Sequence, residues 1–167
     1  MSDTLITVVA ILLAAILMFV FPLMTTADKA DKVAQSNVET IVSDFVNDVK
    51  NTGELTEEKY ERFVASLPSQ YAFDVEVEIW KLDENVGKKT TQTNNKKIGE
   101  NVYVGYFTSD VLVKIHNNGK FDLAEGDIVK VNVTSRSSVS DNFSVAPSAD
   151  ITSLSASASA TVTTTGK

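Results

Sequence analysis

Residues Leu5 to Met24 read LITVVAILLAAILMFVFPLM, twenty residues without a charge and with Thr7 as the one clearly polar side chain. As a helix rising 1.5 Å per residue this stretch reaches about 30 Å, the thickness of a bilayer's hydrocarbon core. Its Leu, Ile, Phe and Val residues each favour insertion by roughly 0.3–0.6 kcal/mol, and nothing in it opposes them. It is apolar on every side, and the remainder of the chain is too small to surround such a helix, so a membrane or membrane-like environment is expected. A secretory signal wants a basic start and a shorter apolar run. Met1, Ser2, Asp3 and Thr4 carry no Lys or Arg, although Thr25-Thr26-Ala27 offers small residues of the kind found at a cleavage site. The nearest basic residues, Lys29 and Lys32, follow the span, so a count of positive charge alone leaves the larger part of the chain cytoplasmic. That rule weakens for a long translocated domain, and it does not apply to a chain whose basic leader has been removed.

The sequence has 167 residues, and positions 28–167 are enough for one domain with its own core. Beyond residue 27 lie all 15 Lys and Arg but 21 of the 22 Asp and Glu, a net charge of −6 that argues against nucleic acid or an anionic membrane surface as partner. There is no cysteine, which excludes a disulfide, a thiolate metal site, a thiol nucleophile and a lipoprotein anchor.

The helical pattern runs on past the apolar stretch. Ala30, Val33, Ala34, Val38, Ile41, Val42, Phe45, Val46 and Val49 recur at steps of three and four, with Asp31, Gln35, Glu39, Ser43, Asn47 and Lys50 mostly opposite. Asn51-Thr52-Gly53 supplies the stop. Pro22 lacks an amide hydrogen and clashes with the preceding turn, so a kink or local melting near Phe19 to Pro22 is expected. A short helix at 56–67 follows. Thr56 caps it, Glu57 and Glu58 suit its positive end, Leu55, Tyr60, Phe63, Val64 and Leu67 form its buried side, and Pro68 ends it.

From Tyr71 the period becomes two, and antiparallel strands are expected over 71–163. Phe73, Val75, Val77 and Ile79 point one way; Asp74, Glu76, Glu78 and Trp80 point the other. Residues 82–101, with Thr90, Thr91, Asn94 and Asn95 at their centre, read as an exposed loop or hairpin tip. Strands are predicted at Val102 to Phe107, at Asp110 to His116 closed by Asn117-Asn118-Gly119, and at Asp127 to Thr134 with Val129, Val131 and Val133 inward. Ser135 to Ser148 reads as a connection containing Pro147. Finally Leu154, Ala156, Ala158, Ala160 and Val162 alternate with Ser155, Ser157, Ser159, Thr161 and Thr163. That pattern gives a strand with a small-residue face, against which helix 30–49, through Val38, Ile41 and Phe45, can pack closely. A structureless Ser/Ala tail is the rival reading.

No catalytic, cofactor or metal set emerges, and the chain is not read as an enzyme. His116 is the one histidine and reads as a surface or turn residue. Asp74, Glu76 and Glu78 share a face, where cross-strand pairing with Lys114 and Lys130 is favoured over cation binding. The glycines form no phosphate-cradling loop, and the glycosylation sequons at Asn132 and Asn142 are weak signals.

The apolar N-terminal helix running into an amphipathic one, the segment Gly53-Glu54-Leu55-Thr56 to Leu67, the strand at 73–79, Gly126-Asp127-Ile128-Val129 and the small-residue strand ending near Gly166 together resemble the small pilin-like proteins of type IV and Tad-type systems. The likeness implies an α+β, pilin-like fold: a long N-terminal helix packed on a small antiparallel sheet, with residues 1–27 as the assembly helix and 28–167 as an extracytoplasmic head. It also implies a structural subunit that sits in the cell membrane and then joins a surface filament or secretion pseudopilus, with itself or other pilin-like subunits as partners. Such subunits usually carry an early glutamate. Leu5 stands there, and Asp3 is the carboxylate left to substitute, which leaves a minor or pseudopilin role open. Packing of like rods through Ala10, Ala14 and Ala15, with Pro22 late in the span, completes the expectation. A permanently anchored binding module, meeting its partner through the 82–101 loop, is the alternative.

Overall fold

The computed structural model describes residues 2–82, 103–136 and 153–166. Helix α1 (Ser2–Thr52) is a single element of 51 residues. Strand β1 (Glu54–Thr56) follows, then α2 (Glu57–Ser66), β2 (Phe73–Leu82), β3 (Tyr103–Tyr106), α3 (Thr108–Asn118), β4 (Lys120–Asp122), β5 (Ile128–Ser135) and β6 (Ser155–Thr161). The fold is mixed α+β: an N-terminal apolar helix, further helices, and a small antiparallel sheet in the order β3-β2-β5-β6, beside a two-stranded ladder of β1 and β4.

The lower half of α1 lies against β6 and then β5. Val38, Val42, Phe45, Val46 and Val49 are buried, and they meet Val77, Ile79, Val129, Val131, Val133 and Ala156 from the sheet. Ile41, Ala158 and Ala160 are half-buried against the same core. Methyl side chains on β6 are what let a helix of valines approach this closely, and each buried Val or Ile contributes roughly 1.5–3 kcal/mol. The small-residue strand is therefore structural, and the tail reading falls. Helix α2 is pinned to α1 by stacked rings, Phe45 on Phe63 with centroids 4.2 Å apart. Its N-cap is Thr56, whose hydroxyl accepts from the Lys59 amide at 3.3 Å.

Four sequence expectations need correction. Residues 110–116 form a helix, not a strand. Val111 and Ile115 are buried one turn apart while Val113 is 59% exposed, and Gly119, at φ 76°, closes the helix instead of turning a hairpin. Consequently His116 ends a helix, exposed, with its Nδ1 3.2 Å from Glu57. Second, Val33 and Val64 are exposed, and Leu55 is buried from β1, not from a helix. Third, Asp31 does not lie on the solvent side: it is buried and accepts from the Tyr71 hydroxyl at 2.8 Å. Fourth, of the kink or local melting expected near Phe19 to Pro22, the melting does not occur: α1 runs on through Pro22, and Thr25 and Thr26 donate to the carbonyls of Phe21 and Pro22. Only one backbone bond is forfeited at a proline, and a long helix tolerates that. The 82–101 loop, apart from Leu82, lies outside the described residues, as do Asn142 and most of the 135–148 connection; Ser135 itself is buried at the end of β5.

The acidic face of β2 is matched across the strand. Arg136 forks onto Asp74, Asn132 donates to Glu76, and Lys130 pairs with Glu78 at 3.3 Å. Lys114 takes no part in this, because its strand is a helix on the other side of the sheet.

Burial, followed by the hydrogen bond and negative charge of Asp31, pushes the Tyr71 phenol up to about 12 from an ordinary value of 10.0. A phenol kept neutral in the fold but free to ionise in the unfolded chain stabilises below pH about 10, and that contribution is lost as pH rises towards 12. The unfolding midpoint of the solubilised chain is thus expected to fall across this window. Tyr71→Phe should flatten that fall, while costing about 1 kcal/mol at neutral pH through the lost hydrogen bond. An unchanged alkaline slope in the variant would remove Tyr71 as its source.

Candidate assembly surface

The sequence from Thr4 to Leu23 forms the exposed upper half of α1, twenty residues of mean hydropathy 2.9 with none of the span buried within the chain. Leu5 is 66% exposed, Met18 78% and Phe19 72%. By length and composition this helix can cross a membrane, and one so close to the N-terminus equally has the character of a signal sequence. Ala10, Ala14, Ala15 and Pro22 are all exposed on it; Asp3 lies in the first turn of α1. Ala10 and Ala14, one turn apart, share a side of the helix where a neighbouring backbone can come close, and Ala15 widens that strip.

The head grips α1 from residue 31 onward. Asp31 holds the Tyr71 hydroxyl, and Ala34 packs with Tyr71 and Leu154. One turn on, the Gln35 side-chain amide donates to the Ser155 carbonyl at 2.7 Å and accepts from the Ser155 amide at 3.1 Å. An amide that satisfies both backbone groups of one residue copies a strand partner, and so closes the first position of β6's outer edge. Asp31 and Gln35 were read from sequence as solvent-side residues. The signal for them was present nonetheless: 31, 34, 35, 38, 41, 42 and 45 follow the same three-and-four spacing as the apolar stripe.

The far end of α1 is locked as well. Gly53 adopts φ 68° and donates back to the Val49 carbonyl. Its own carbonyl accepts from Leu123, the Lys50 carbonyl accepts from the Thr163 amide, and Gly166 donates to Leu123. The C-terminal residues 163–166 therefore cross directly over the helix end. Beside them Asp127, 1% exposed, accepts from the amides of Leu82 and Ala124 and ties β2 to the turn before β5.

No family model, curated protein or solved structure matches this chain. The exposed apolar half of α1 continues without a break into the head, which holds the helix by one collar at Asp31 and Gln35 and another at Gly53.

Proposed function

We propose that the chain is a pilin-like structural subunit, inserted in the cell membrane through α1 before assembly and then polymerised through that helix into a type IV- or Tad-like surface filament or a secretion pseudopilus. The observation that carries this reading is the division of α1: its upper twenty residues are apolar and none of them is buried among the described residues, while the same helix continues unbroken into the core of the head. An apolar rod of that length leaves lipid only if other apolar rods replace it, and a bundle of like helices does so. Supporting this, the exposed strip at Ala10 and Ala14 suits close helix contacts, and the fused head faces outward from such a bundle. The partners are further copies of this chain or other pilin-like subunits.

The test is electron microscopy of the full chain after slow detergent removal. Regular fibres of constant diameter are expected. Monomers that stay soluble only while detergent is present would defeat the subunit reading and leave the permanently anchored binding module in its place.

A further inference from the structure

Far from the apolar rod, three lysines converge on one hollow of about 390 Å³, lined by Lys81 at the end of β2, Lys114 and Asn118 on α3, and Lys120, Phe121 and Asp122 on β4. Like charges gathered from three separate elements repel, and in a chain of net charge −7 the arrangement is unexpected. The nearby carboxylates offset it only in part. Asp127 lies 4.0 Å from Lys81 but is buried and committed to two backbone amides. Glu54, opposite Asp122 across the β1–β4 ladder, pairs with Lys59 at 3.8 Å, and its charge also reaches Lys120. Among the described residues the direct pairing falls to Asp122, whose carboxylate holds Lys120 at 2.9 Å and whose carbonyl accepts from Lys81 at 3.0 Å.

Lys114 is placed differently. Its ammonium stands 3.7 Å from the centroid of the Tyr106 ring and 4.8 Å from that of Phe121, two rings set edge to face. The ring faces attract the cation and hold it in one position, yet they do not neutralise its charge. The side chain is thereby pre-organised, so little conformational entropy remains to be lost when an anion arrives.

We propose that this hollow binds the phosphate group of a small phosphate ester. Three separate ammonium point charges suit the three terminal oxygens of a tetrahedral phosphate better than the flat fork of a carboxylate, and the Asn118 amide adds a neutral donor. The volume falls within the range of small-molecule sites. The ligand is not the headgroup of the bilayer that α1 enters: the hollow adjoins the β1–β4 ladder beyond the C-terminal end of α1, about 40 Å along the helix from Leu23. Nor is it nucleic acid, which the acidic balance of the chain repels.

The test titrates full-length protein in neutral detergent, at constant ionic strength, with glycerol phosphate and separately with inorganic phosphate. One-to-one saturable binding is expected, and the two titrations separate an ester ligand, which binds tighter than inorganic phosphate, from the free ion, which matches it. Lys114→Met keeps the stem over the rings but removes the charge, and should weaken binding about tenfold. Asp122→Asn removes the opposing carboxylate and should tighten it about threefold, a gain that misfolding cannot imitate. Lys32→Met, on α1, should change nothing. Absence of saturation with both phosphates, or parental affinity in both Lys114→Met and Asp122→Asn, would overturn the assignment. Because the readout is taken on detergent-held monomer, it is independent of whether fibres form.

Discussion

Gly53→Ala is expected to lower the unfolding free energy by about 3 kcal/mol, whereas Gly119→Ala should cost only about 1 kcal/mol. Both glycines end helices in the left-handed region, at φ 68° and 76°, so the backbone strain introduced by a methyl group is nearly the same. Their surroundings differ. A Cβ at Gly119 meets nothing within 4 Å, but at Gly53 it would lie 2.1 Å from the Thr164 carbonyl oxygen and 2.5 Å from the Gly166 amide nitrogen. Backbone cannot step aside as a flexible side chain can. The C-terminal crossing must lift, and with it go the bonds from Thr163 to Lys50 and from Gly166 to Leu123, worth about 1 kcal/mol each. Urea midpoints of the two variants decide the matter: equal losses would mean that the crossing contributes nothing to the head.

Much of this architecture could be read before the fold was in view, and for identifiable reasons. The apolar rod is one unbroken apolar run, and the stripe from Val38 to Val49, strands β2 and β5, and the alternation of β6 are long periodic patterns with one face turned to the core. A pattern that many residues repeat survives individual exceptions. Helix α3 had no such length. Val111, Leu112, Val113 and Ile115 are apolar and mostly β-branched, a composition that suits a strand, and only the buried pair Val111 and Ile115 betrays a helix once Tyr106 and Phe121 are in place beside it. Strands β1 and β4, three residues each, follow from the closing of α1 by Gly53 and Leu123 and not from any local preference.

The collar was missed for a different reason. Asp31 and Gln35 sit at stripe positions, yet polarity assigned them to solvent. In the fold Asp31 satisfies the buried Tyr71 hydroxyl, and Gln35 pairs with the backbone of Ser155 at the exposed edge of β6. The residues proposed for assembly differ again. No described residue covers Ala10, Ala14 or Ala15, so their position on the rod follows from sequence, while the proposed role depends on neighbouring chains.

For that reason Ala14→Asp is the most consequential substitution: fibres should be abolished while the head remains as stable as in the parent. A carboxylate at the middle of an apolar span costs about 2.5–3.5 kcal/mol in lipid, and in a bundle of like helices each copy adds one such charge beside the others, at the same level or displaced along the axis. Residues 4–23 make no contribution to the core of the head, so the urea midpoint of the detergent-held variant should match that of the parent. Ala14→Leu separates charge from bulk. It preserves insertion into lipid, but where helices meet through the small residues Ala10 and Ala14 the added side chain forces them apart, at a cost of about 1–3 kcal/mol per contact. Fewer or shorter fibres are then expected from Ala14→Leu, and none from Ala14→Asp. Fibres of normal length from the aspartate variant would show that the rods do not bury this face, and the subunit would have to be joined through its head instead.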